Sequence, residues 1–100
     1  MFEKNKQYYM TPGVQFNIKP DLIKEMLDSI TRMKRSVKQV DYLQVFRIST
    51  DGTTTRIKHT QEEPDHKKTL ILKDSENKFE GKVYIIDDGD HVTVLLADEY

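Results

Sequence analysis

The chain contains no cysteine. That excludes a disulfide framework, a thiolate nucleophile and any zinc or iron–sulfur centre held by cysteines. Long apolar runs are missing as well. The longest are four residues, Val83 to Ile86 and Val94 to Ala97, against the roughly 20 that cross a bilayer as a helix. The opening Met1-Phe2-Glu3-Lys4-Asn5-Lys6-Gln7 has no apolar segment of the kind that directs secretion. A cytoplasmic protein with no membrane partner is therefore expected. Glycine is scarce and scattered, at Gly13, Gly52, Gly81 and Gly89, so no glycine-rich loop cradles phosphate. The serines, Ser29, Ser36, Ser49 and Ser75, lie in no nucleophile-elbow pattern. No repeat or Pro/Gly/Ser-rich linker divides the 100 residues, and one domain over 1–100 is the expectation.

Charge, by contrast, is plentiful. The formal net charge of −1 is a cancellation: residues 1–60 carry 11 positive and 6 negative side chains, and residues 61–100 carry 5 and 11. Such asymmetry bears on association partners and leaves the fold open.

Pro20 and Asp21 suit the first turn of a helix, where a missing N–H is harmless and a carboxylate favours the helix dipole. Leu22, Ile23, Met26, Leu27, Ile30, Met33 and Val37 then recur at helical spacing, which predicts an amphipathic helix over 20–37. Arg32, Lys34, Arg35 and Lys38 load its last turn. Beyond it the period falls to two. Tyr42 to Ser49 and Thr53 to Thr60 read as a hairpin turning on Asp51-Gly52, with Arg47 opposite Arg56 and Phe46 opposite Ile57. Phe46, Ile48 and Ile57 form its core side, and Arg47, Arg56 and Lys58 gather on the other. Lys67 to Lys73 is a further strand. Gly81 to Ile86 and His91 to Ala97 form a second hairpin around Asp88-Gly89, which sets Ile85 against Val92 and Val83 against Val94. Tyr8 to Thr11 adds a short edge strand that Pro12-Gly13 ends. The expected fold is α+β, one amphipathic helix packed on a mostly antiparallel sheet of five or six strands.

Three constellations carry candidate chemistry. Glu62, Asp65, His59 and His66 could bind a divalent metal for hydrolysis if they converge. Adjacent residues of an extended segment point in different directions, so a solvated loop cornered by Pro64 is preferred. Asp87-Asp88-Gly89-Asp90-His91 lacks the spacing and terminal Glu of an EF-hand loop and reads as a hairpin turn. Neither a metal nor another cofactor is expected. The basic residues Arg47, Arg56 and Lys58, extended by Arg32, Lys34 and Arg35, could follow a phosphate backbone. Aromatic residues for base stacking are the missing half of that signature, since Tyr42 shares the parity of Phe46, away from the basic side. The acidic residues Glu62, Glu63, Asp65, Asp87, Asp88 and Asp90 could instead present a negative surface to a basic protein. Gln44 shares the core side and sits opposite His59. A buried Gln44 must be hydrogen-bonded, so contacts among Gln44, His59 and Gln61 are expected as structural glue.

Several strings resemble a known family. Tyr42-Leu43-Gln44-Val45-Phe46, Gln61-Glu62-Glu63-Pro64, Ile86-Asp87-Asp88-Gly89 and the ending Leu95-Leu96-Ala97-Asp98-Glu99-Tyr100 resemble, in this order and spacing, domain-of-unknown-function family 960. Tyr9-Met10-Thr11-Pro12-Gly13-Val14 resembles its opening. The resemblance implies a setting in Gram-positive bacteria, their phages and mobile cassette elements, and brings no catalytic residues with it. Two features depart from it: the helix is less aromatic and more basic than the family's, and Arg47 stands where an acidic residue is commoner. The expectation is a non-enzymatic accessory or interaction protein that binds a protein partner and could interfere with a host protein. Single-stranded nucleic acid bound by the first hairpin is the alternative.

Overall fold

A computed structural model describes all 100 residues, Met1–Tyr100. The strands are β1 (Gln7–Met10), β2 (Leu43–Asp51), β3 (Thr54–Gln61), β4 (His66–Leu72), β5 (Gly81–Asp87) and β6 (His91–Leu96). They form one six-stranded sheet in the order β1-β6-β5-β2-β3-β4. Every pairing is antiparallel except that of β1 with β6, which makes the sheet mixed. Two helices, α1 (Pro12–Asn17) and α2 (Pro20–Met33), and a short 3-10 turn at Ala97–Glu99 complete an α+β fold. No helix is long and apolar enough to cross a membrane.

The expectation of a single helix is thus corrected to two. Pro12-Gly13 does end the edge strand, but it also opens α1: Thr11 accepts a hydrogen bond from the Val14 N–H at 3.3 Å and caps the helix, with Pro12 in its first turn. The second helix starts at Pro20 as expected and stops at Met33, short of Val37. Ser36 and Val37 donate back to the Met33 carbonyl in a closing turn. Arg32 with Arg35 and Lys34 with Lys38 would stack like charges at helical spacing, and Ser36 and Val37 are poor helix formers.

Both hairpins are displaced from the expected register by the same step. Phe46 pairs with His59, Ile48 with Ile57 and Arg47 with Lys58, and the turn is Gly52-Thr53, with Gly52 at φ 63°. In the second hairpin Ile85 pairs with Val94 and Val83 with Leu96. A two-residue displacement keeps every side chain on its own face, so the division into core and outer residues survives while the opposed pairs change.

One face of the sheet is covered. Leu22, Ile23, Met26 and Ile30 of α2, Val14 and Ile18 around α1, and Phe2 pack on Phe46, Ile48, Ile57, Val83, Ile85, Val92 and Val94. Asp87 anchors the N-terminal segment to this core. It accepts from the Phe2 N–H at 2.6 Å, the Gly89 N–H at 2.8 Å and the Lys6 ammonium at 2.7 Å. Phe2 takes a left-handed φ of 61°, a strain offset by burial of its ring and by that bond. The other face of the sheet carries no helix.

Candidate nucleic-acid interface

The pairing register places the open-face side chains in transverse rows. Lys82 of β5 lies opposite Arg47 of β2, and Arg47 lies opposite Lys58 of β3. Arg56 follows one pleat further along β3, and Lys67 of β4 pairs with Thr60 in the row on the other side. None of these five cations takes part in an ion pair. The only acidic strand residue of this face is Asp51, at the hairpin tip. Beside the cations runs an apolar row, Leu95–Tyr84–Val45, flanked by Ile86 and Leu43, in which Leu95 is buried and the other four are half-buried. Tyr100 stands edge-on to Tyr84 at 5.4 Å and 89°, and Tyr9 edge-on to His91 at 5.0 Å.

Sequence reasoning missed Lys82, Lys67 and Tyr84 in this patch. The alternation of Val83 and Ile85 with Lys82 and Tyr84 already put the latter pair on an outer face. The missing signal was the pairing of β5 with β2, which joins segments about forty residues apart.

The expected polar residues of the covered face come together. Gln44 Oε1 lies 2.6 Å from His59 Nε2, although Gln44 reaches it diagonally and Phe46 is the residue opposite. Ser29 of α2 meets His59 Nδ1 at 2.8 Å. Gln44 donates to Gln61 Oε1 and to the Asp41 carbonyl, and Gln61 accepts from the Asp41 N–H and donates to the Pro64 carbonyl. These backbone partners fix both amide orientations. His59 Nε2–H must therefore donate to Gln44, and Nδ1 accepts from the Ser29 hydroxyl. The imidazole is fully buried and stacked on Phe46 at 4.2 Å. Burial first, then the charges of His66, Lys68 and Arg32, lowers its pKa to about 4. It is a neutral strut joining helix, sheet and the segment before β2.

Residues 7–99 match the family described as "Staphylococcal protein of unknown function (DUF960)". The chain belongs to that family. A crystal structure of a protein of unknown function from Enterococcus faecalis shares the fold, with a TM-score of 0.86 and 21% identity over 99% of this chain and 94% of that one. No curated protein matches the chain. The DUF960 match takes in the five cations of the open face with Tyr9 and Tyr84, and leaves out Tyr100 and the segment Met1–Lys6 that Asp87 anchors.

Of the remaining candidate residues of this DUF960 chain, Arg32, Lys34, Arg35 and Asp87 are placed differently from expectation. Arg32 lies on α2, and Lys34 and Arg35 in the turn after it, so they sit on the covered side, across the sheet from Arg47, Arg56 and Lys58. They do not extend the basic patch. Asp87 belongs to no acidic surface, because it is buried: burial pushes its carboxyl up, and the Lys6, Phe2 and Gly89 hydrogen bonds outweigh that and hold it below the usual range. Asp88 accepts from the Asp90 and His91 N–H groups and shapes the turn. Glu62, Glu63 and Asp65 are exposed in the β3–β4 turn, at the same end of the sheet as Asp88 and Asp90. The metal constellation does not form. His59 has both ring nitrogens engaged in the core, and no group of three His, Asp or Glu side chains is arranged to hold a metal ion.

Proposed function

We propose that the protein is a non-catalytic binding module whose working surface is the open face of the sheet, and that this face takes single-stranded nucleic acid. The row Lys82–Arg47–Lys58 carries this reading. Three cations directly opposed on neighbouring strands repel one another, an arrangement that weakens a sheet. A polyanion laid across the row turns the repulsion into attraction. A broad six-stranded face cannot enter a groove about 12 Å wide, whereas unpaired bases can lie flat on its apolar row. From sequence a protein partner ranks first on the family setting, the lack of catalytic motifs and the split charge, and Tyr42, which points away from the basic side, leaves the first hairpin without a stacking residue. Tyr84, beside Val45 and two residues from Lys82, reverses that order.

A protein partner remains the second reading, favoured by one observation. The Glu62–Asp65 and Asp88–Asp90 turns project from the same end of the sheet and together offer an acidic end to a basic protein. In either form the protein would serve as an accessory factor of a phage or mobile element, with interference in a host protein as the corresponding outcome of the second.

Fluorescence anisotropy with a labelled 15-nucleotide single strand across a salt series tests the first reading. Five phosphate contacts give a slope of log K against log salt near roughly −3.5, so affinity falls about a hundredfold between ~50 and ~200 mM. Absence of binding at ~50 mM salt would rule the reading out.

A further inference from the structure

The C-terminal turn is held in a way that the fold alone does not require. Glu99 reaches back to the start of α1, where its carboxylate accepts from the Thr11 hydroxyl at 2.6 Å and the Gly13 N–H at 3.2 Å, and from its own turn through the Leu96 N–H at 2.9 Å. The Thr11 hydroxyl first, then the Leu96 amide, holds this carboxyl below its ordinary pKa. Gly13 makes the approach possible: a Cβ there would stand 2.6 Å from Glu99 Oε2. The next residue along the chain is Tyr100. The residue is 73% exposed, yet its ring meets that of Tyr84 at 89°.

We infer that Tyr84 and Tyr100 form a stacking corner for a nucleobase, positioned by the Glu99 clamp and set one pleat from the cationic row. This rests on reading the open face as a single-strand site and adds where the base goes. Two rings at 89° offer a plane for stacking and an edge that closes the side of the base, and every base has a π-face to present. Lys82 lies two residues from Tyr84 on the same side of β5, and Arg47 lies opposite Lys82. The phosphates of a strand whose base occupies the corner would therefore run over the cations. Tyr100 and Tyr84 are stacking residues, and Thr11, Gly13 and Glu99 are positioning residues.

The absence of tryptophan leaves the emission to the five tyrosines, and the Tyr100→Ala variant identifies the share of any quenching that belongs to the corner. The full chain is titrated at ~50 mM salt with oligo(dT), with an abasic strand of equal length and with poly-glutamate. Oligo(dT) should bind roughly five- to a hundredfold more tightly than the abasic strand and quench tyrosine emission, which the abasic strand should not. Tyr100→Ala, which removes an exposed side chain, should abolish most of that preference and leave the salt slope unchanged. Glu99→Gln should give an intermediate loss, since it weakens the clamp and keeps the ring. Equal affinity for oligo(dT) and the abasic strand, or a Tyr100→Ala variant with native preference, would overturn the corner while leaving phosphate binding intact. Poly-glutamate that binds as tightly as oligo(dT) would show an electrostatic protein site instead. No binding of either strand would remove both proposals together.

Discussion

The two faces of the sheet treat polar groups in opposite ways. On the covered side Ser29, Gln44, Thr55, His59, Gln61, Asn77 and Asp87 are buried, and no buried side-chain nitrogen or oxygen lacks a partner. On the open side Lys82, Arg47, Lys58, Arg56 and Lys67 are left without ion-pair partners, and three of them are directly opposed. A closed network is what structure needs, since a half-satisfied buried group costs more than an apolar one. An open row of like charges contributes nothing to the fold and is what a polyanion site needs. The proposed function divides stability and binding between the faces, and that division can be broken from either side.

The largest effect belongs to the covered face. Gln61→Ala strips the Asp41 N–H and the Pro64 carbonyl of their partners and costs about 3 kcal/mol. On a domain of this size the melting temperature falls by roughly 10–20 °C, read by circular dichroism, while oligonucleotide affinity of the folded protein stays the same. Acid attacks the same network through His59. Its folded pKa of about 4 lies below the unfolded value near 6.5, so the unfolded chain binds the extra proton first. Stability is complete above pH ~6.5 and declines by about 3 kcal/mol down to pH ~4, a loss that urea denaturation at several pH values measures. Asp87 acts in a lower window: its depressed pKa stabilises the fold above pH ~4 and that contribution disappears as pH falls further. Asp87→Asn should cost about 2 kcal/mol and release the Met1–Lys6 segment, seen as faster amide exchange there. The smallest stability effect has the opposite sign. Arg47→Thr relieves repulsion from Lys82 and Lys58 and should stabilise by about 0.5 kcal/mol while flattening the salt slope of binding by ~0.7.

How much of this was legible in the sequence depends on the range of the contact. The alternation in Phe46, Ile48 and Ile57 against Arg47, Arg56 and Lys58 sorted the faces correctly, and a two-residue slip in both hairpins left that sorting intact. The exact register depended on turn geometry: Gly52 takes the first turn position, and Asp87 and Asp88 bind loop amides so that the second hairpin turns on Gly89-Asp90, with the Asp88 N–H donating to the His91 carbonyl. The contacts of Gln44 with His59 and Gln61 followed from a polar side chain on a core parity. The insertion of β5 between β6 and β2 left no local trace, and it brings Lys82 and Tyr84 to Arg47. It also interleaves the basic first sixty residues with the acidic last forty, so the charge separation seen along the chain becomes a separation by face and by end. The helix α1 was written in Thr11-Pro12-Gly13 as a cap and first turn, and was hidden by the same residues' use as strand terminators.

The division between faces is tested most directly by reversing the charge row. Arg47→Glu combined with Lys58→Glu is measured for single-strand binding by anisotropy at ~50 mM salt and for melting temperature in the same buffer. Binding is predicted to weaken by at least about a hundredfold, with a melting temperature equal to that of the native chain or a few degrees higher. Native affinity in the double variant, or a melting temperature that falls together with the affinity, would contradict the assignment of binding to the open face.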